Sequence, residues 1–160
     1  MIRSPHRRAA GAVLIVAALA FAGTAQAGSS AKDHGPRTIH LTEENPQLHP
    51  TFVDTGEPGP TVGDIVVARD GVLAADGSKA GTFNQVCTLV EVASNPFTSA
   101  YECSGSIALA NGTITVQGPF VPSLAEQSAA ITGGTGAYQK ARGQVVVRAE
   151  ADELVVQLAN

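Results

Sequence analysis

The stretch Tyr101-Glu102-Cys103-Ser104-Gly105-Ser106-Ile107-Ala108-Leu109-Ala110-Asn111-Gly112-Thr113-Ile114-Thr115-Val116-Gln117 decides the fold. From Tyr101 to Leu109 the odd positions are Tyr, Cys, Gly, Ile and Leu, and the even ones are Glu, Ser, Ser and Ala. A two-residue period of this kind turns one face of a β-strand to an apolar interior and the other to water. Asn111-Gly112 follows, a strong hairpin signal because both residues tolerate the positive φ of a tight turn. Centring the turn on that pair predicts Leu109 opposite Ile114 and Ile107 opposite Val116. Thr113, Thr115 and Gln117 then face the other way.

The same reasoning extends in both directions. Upstream, a turn at Asp76-Gly77 sets Asp70 opposite Phe83, Ala68 opposite Gln85 and Val66 opposite Cys87, on the face shared by Tyr101, Cys103 and Ile107. Downstream, a turn at Glu150-Ala151 sets Val147 opposite Leu154 and Val145 opposite Val156. A helix over 144–160 is the rival there, but the β-branched run Val145-Val146-Val147 favours strand. Shorter strands are expected near 38–43, 51–54 and 128–132, giving eight or nine in all. Regular short strands joined by turns predict an all-β barrel or sandwich in one domain over 37–160.

The first 27 residues read as an export signal. Arg3, Arg7 and Arg8 give a positive start, an uncharged stretch follows over 9–22, and Ala25-Gln26-Ala27 is a small-x-small cleavage site. The strongly apolar part, 13–21, is too short to cross about 30 Å of hydrocarbon as a helix. Residues 28–36 read as a flexible leader. Cleavage leaves 133 residues, 28–160; all 14 acidic residues remain but only seven of the ten basic ones, for a net charge of −7. Such a chain is expected to be secreted, without affinity for nucleic acid or anionic membranes.

Cys87 and Cys103 are the only cysteines, and export puts them where disulfides persist. Ser94-Asn95-Pro96-Phe97 marks a turn midway between them. Antiparallel strands over 86–92 and 99–109 would bring the two opposite each other as a cross-strand disulfide; a free, reactive Cys87 is the alternative. His34, His40 and His49 have no metal-ligand spacing, so no metal is expected. No nucleophile elbow supports a Ser-His-Asp triad. Thr132-Gly133-Gly134-Thr135-Gly136 lacks the Lys-Ser/Thr of a phosphate loop and reads as a tight glycine-rich connection.

Two blocks carry a family resemblance. Gly112-Thr113-Ile114-Thr115-Val116-Gln117-Gly118-Pro119-Phe120 is followed by Ala130-Ile131-Thr132-Gly133-Gly134-Thr135-Gly136-Ala137-Tyr138-Gln139-Lys140-Ala141-Arg142-Gly143-Gln144-Val145. Together they resemble the allene oxide cyclase barrel, and the related dirigent proteins share a similar Gly-Gly-Thr-Gly and Ala-Arg-Gly run. Gly63-Asp64-Ile65-Val66 and Val86-Cys87-Thr88-Leu89-Val90 extend the likeness upstream. The resemblance implies an eight-stranded antiparallel barrel whose lumen holds an apolar substrate, with no cofactor. Cyclases of the family close a fatty-acid allene oxide to a cyclopentenone, and dirigent proteins steer the coupling of phenolic intermediates. Both act by confining a reactive molecule.

Carried over by residue, Asp70 falls where the cyclases have an Asn that holds a site water, and Cys87 matches a lumen cysteine. Phe120 stands in place of a site Tyr and lacks its hydroxyl. The cyclase Glu of the first strand has three nearby candidates, His40, Glu43 and Glu44. These matches make Asp70 the candidate catalytic group, with Phe83, Cys87, Tyr101, Ile107 and Phe120 lining the substrate lumen. Asp70 as a turn cap, and Phe83 and Tyr101 as plain core, are the alternatives; Tyr138 is expected to pack the barrel base. Three roles follow: an isomerase-like barrel steering cyclisation or coupling of a hydrophobic molecule, a non-catalytic binder of a hydrophobic ligand or partner protein, and a structural module. Relatives often form trimers, so a homo-trimer is a further expectation.

Overall fold

The structure is a computed structural model that describes residues 37–46 and 50–159. The expected export signal and leader, with His34 and His49, lie outside the described residues. Nine strands run in chain order: β1 Arg37–Glu43, β2 Thr51–Val53, β3 Ile65–Ala74, β4 Lys79–Glu91, β5 Ala100–Leu109, β6 Gly112–Phe120, β7 Glu126–Gly134, β8 Gly143–Arg148 and β9 Glu153–Leu158. Consecutive strands from β3 to β9 pair antiparallel, and β1 pairs with both β9 and β3. Those eight strands close a barrel, which removes the exposed edges an open sheet would carry. The three-residue β2 lies along β3 outside the closed ring.

Most of the expected register is present. Asp70 pairs with Phe83, Ala68 with Gln85 and Val66 with Cys87. Val147 pairs with Leu154 and Val145 with Val156, so the C-terminal segment is a hairpin and not a helix. The β5–β6 register differs from expectation by two residues: Ile107 faces Ile114, Gly105 faces Val116, and Leu109 faces Gly112. The loop is Ala110-Asn111, and Gly112 already belongs to the ladder. Its φ is +146°, and a Cβ there would stand 2.1 Å from the Thr135 carbonyl oxygen. Gly112 is therefore required by close approach of the glycine-rich connection after β7, not by the centre of the hairpin turn. The shift is even, so each side chain keeps the face that alternation assigned to it.

Inward-facing side chains divide the barrel along its axis. At the end carrying the β3–β4, β5–β6 and β7–β8 connections, Leu41, Val72, Ile107, Ile114, Ile131, Leu154 and Val156 form a filled core. Tyr138, in the short 3-10 turn Gly136–Tyr138, is buried against them and closes that end. Toward the other end the inward positions change to Ala68, Gly105, Gly118 and Ala129, interleaved with aromatic rings. The small residues leave volume that the rings do not fill.

Candidate functional site

The open end contains a cavity of about 420 Å³, within the range of small-molecule sites. Its wall comes from β3 (Val66, Ala68, Asp70), β4 (Phe83, Gln85, Cys87), Tyr101 of β5 and Phe120 of β6. Glu43, Asn45, Pro50, Phe52, Phe97 and Pro122 complete the mouth. Phe83, Gln85 and Phe120 form a waist, below which the space narrows to a crevice of about 40 Å³ reaching Cys103 and Val145. An adjoining recess of about 200 Å³ runs past Glu43 toward Asp152 and Glu153. The lining is mainly apolar, with few polar groups placed where they can orient a ligand.

Asp70, Phe83, Cys87, Tyr101 and Phe120 are thus brought together around one space. Ile107 is not. It shares their face but lies deeper, with no exposed surface, packed in the filled core beneath the cavity. Alternation assigns a face and says nothing about depth along the barrel axis.

Cys87 and Cys103 are bonded, and Cys87 contributes to the cavity wall. The bridge ties β4 to β5 within the cavity wall.

Two carboxylates face the cavity with opposite tendencies. Burial works against the charged form of Asp70, but the main-chain and side-chain amides of Asn45 and the Gly71 N–H donate to it. With the Lys79 charge nearby, these outweigh burial and hold its pKa below the usual value. The same bonds fasten the rim segment after β1, so Asp70 acts as a cap while remaining part of the cavity wall. Glu43 is shifted the other way: burial, then the charges of Asp70 and Asp152, raise its pKa. Adjacent carboxyl groups pushed apart in pKa are suited to different tasks, one as an anion and one as a proton donor.

Of the three candidates on the first strand, only Glu43 lines the cavity. Glu44 accepts from Lys79 Nζ at 3.0 Å, and His40 Nδ1 stands 2.7 Å from Glu153 Oε1 in an exposed pair. The pattern Ile39, Leu41, Glu43 carried the signal, since it places Glu43 on the inward face of β1. Phe52 and Phe97 had no such signal: one lies on a three-residue strand and the other in the short 3-10 turn Pro96–Thr98. No group of three or more His, Cys, Asp or Glu side chains among the described residues stands close enough to hold a metal ion.

A closed antiparallel barrel with one end packed and the other opening on an apolar, carboxylate-bearing lumen defines a class of small-molecule barrels. The chain belongs to the allene oxide cyclase barrel-like domain family, whose pattern it matches over residues 38–158. Among solved structures it is similar to a pyocyanin demethylase, at 27% identity and a TM-score of 0.63 over 78% of this chain and 100% of that one. It also resembles an exo-specific intermolecular Diels-Alderase, at 16% identity and a TM-score of 0.56 over 78% of this chain and 98% of that one. A pterocarpan synthase dirigent protein shares the fold at 17% identity and a TM-score of 0.52 over 78% of this chain and 83% of that one. A comparison with curated proteins returns no match.

Proposed function

We propose that this chain is a secreted barrel that admits a hydrophobic small molecule to its open end and steers its cyclisation or coupling, as an isomerase-like catalyst. The observation that carries this reading is the cavity of about 420 Å³ with Asp70 in its wall. Phe83, Cys87, Tyr101 and Phe120 would confine the substrate in a reactive conformation, which supplies rate through orientation alone. Asp70 as an anion would stabilise positive charge developing on the substrate, and Glu43 as an acid would donate to a developing oxyanion. No cofactor takes part in such a step. The Cys87–Cys103 bridge supports an oxidising destination, in keeping with export directed by residues 1–27.

The test is to incubate the mature protein with an allene oxide, or with a phenol under radical-coupling conditions, and to measure product chirality. An enantiomeric excess that falls at least tenfold in Asp70→Ala is expected. A racemic product, the same with and without Asp70, overturns catalysis on those substrates. A second reading, a non-catalytic carrier, is favoured by one observation: both Asp70 oxygens already accept bonds from Asn45 and Gly71. Tight ligand retention with a racemic product would select it. A homo-trimer built through the barrel exterior, where Val67 and Val86 lie exposed side by side, is expected as a threefold mass in light scattering.

A further inference from the structure

The aromatic residues are distributed unevenly. The chain has five Phe, two Tyr and no Trp, and Phe21 falls in the export signal. Of the remaining six, Phe52, Phe83, Phe97, Tyr101 and Phe120 all line one cavity at the open end. The sixth, Tyr138, lies at the packed end, where the guanidinium of Arg37 sits 5.6 Å from its ring centre. That is the one cation–π contact among the described residues; none of the five cavity rings has a protein cation over it.

The charged groups of the same wall are Glu43, Asp70 and Arg69. Alternation along β3 places Arg69 on the outer face, where it pairs in register with Asn84 and is exposed. Lys79 is turned to Glu44. Among the described residues, therefore, five π faces and two carboxyl groups line the cavity, and its one lining cation, Arg69, stands on the outward-facing side of β3. Asp70 accepts three hydrogen bonds, and a carboxylate has about four lone-pair sites, so it keeps capacity toward the cavity. Aromatic faces attract a positive charge through their quadrupole, more strongly when water is excluded, and a carboxylate at the edge of such a box adds a formal counter-charge. A neutral lipid-like substrate would gain nothing from either.

We infer that the preferred ligand of this lumen is a planar aromatic cation, of the N-alkylated heteroaromatic type, held among Phe52, Phe83, Phe97, Tyr101 and Phe120 with Asp70 as counter-ion. This rests on the reading of the open end as a small-molecule site and specifies what that site selects. The similarity to a pyocyanin demethylase agrees with an aromatic ligand.

The experiment is equilibrium dialysis of the full mature chain, in the dark, against N-methylphenazinium and against phenazine, with absorbance of the dye as the readout. The two probes share a ring system and differ in charge. The cation is expected to bind about tenfold more tightly or better, the scale of a desolvated cation–π contact. Asp70→Asn is expected to cut that preference severalfold while leaving phenazine affinity within about twofold. Phe97→Leu alters a ring that is 67% exposed, so it reads the same preference if Asp70→Asn does not fold. It too should lower the ratio. Equal binding of the two probes, or a preference that survives both substitutions, overturns the inference and leaves the lumen site standing. Retention of neither probe overturns the lumen reading for aromatic ligands and the inference with it.

Discussion

The two ends of this barrel use the same eight strands and the same inward alternation, yet one end is solid and the other hollow. At the packed end the inward positions are branched aliphatics that pack into one core, with Ile107 beside Ile114 and Leu41 beside Leu154 on neighbouring strands. At the open end they alternate between side chains too small to reach the axis and aromatic rings that stand along the wall. Gly105 shows how tightly this is drawn: a Cβ there would lie 3.3 Å from the Phe83 ring and 2.8 Å from the Asn84 carbonyl. Stability and binding are thus separated along one axis. The packed end supplies burial, and the open end forgoes it to keep a cavity.

The largest expected effects come from testing that separation directly. Ile114→Ala removes a side chain with no exposed surface and should cost about 2–5 kcal/mol in chemical denaturation, as core truncations do. Phe97→Ala, at the mouth, should cost under about 0.5 kcal/mol, as surface changes do, while weakening ligand retention. Similar stability losses at both ends would break the comparison.

Next in size is the covalent tie within the wall of the open end. Cys87 and Cys103 are 16 residues apart in sequence, and closing a loop of that length contributes about 3 kcal/mol by restricting the unfolded chain. Cys87→Ser with Cys103→Ser should lower the unfolding free energy by that amount. Adding reductant to the natural protein should reproduce the loss, and it should leave the double variant unchanged.

The packed end was largely legible in the sequence. Turn chemistry at Asp76-Gly77 and alternation through Val145 and Val147 fix pairings β3–β4 and β8–β9 because both cues are local. The β5–β6 slip shows where local cues stop: Gly112 answers to Thr135, more than twenty residues away. The open end was legible only in part. Asp70, Phe83, Cys87, Tyr101 and Phe120 share a face that alternation defines, but Ile107 shares that face too and lies below the cavity. Phe52 and Phe97 reach it from segments without a period, and the packing of loops against the mouth left no pattern to read.

The smallest expected effect concerns the carboxyl pair of the cavity. Glu43 carries a raised pKa because burial and the Asp70 and Asp152 charges oppose its ionisation. A folded carboxyl group that holds its proton more tightly than the unfolded chain does lowers stability once the pH exceeds both values. That cost fades as the pH falls through the ordinary carboxylate range. Asp70 runs oppositely: its lowered pKa contributes stability above the ordinary value, which is lost as the pH falls through the folded one. Glu43→Gln should therefore raise the denaturation midpoint slightly at neutral pH and leave it unchanged near pH 3. Asp70→Asn should lower it at neutral pH, with the difference narrowing in acid. Because Glu43 is only half-buried, solvent screening keeps its effect small. If Glu43→Gln is destabilising at neutral pH, the carboxyl group is serving the packed end as a structural anion. The open end would then hold one functional carboxylate, Asp70, and not a divided pair.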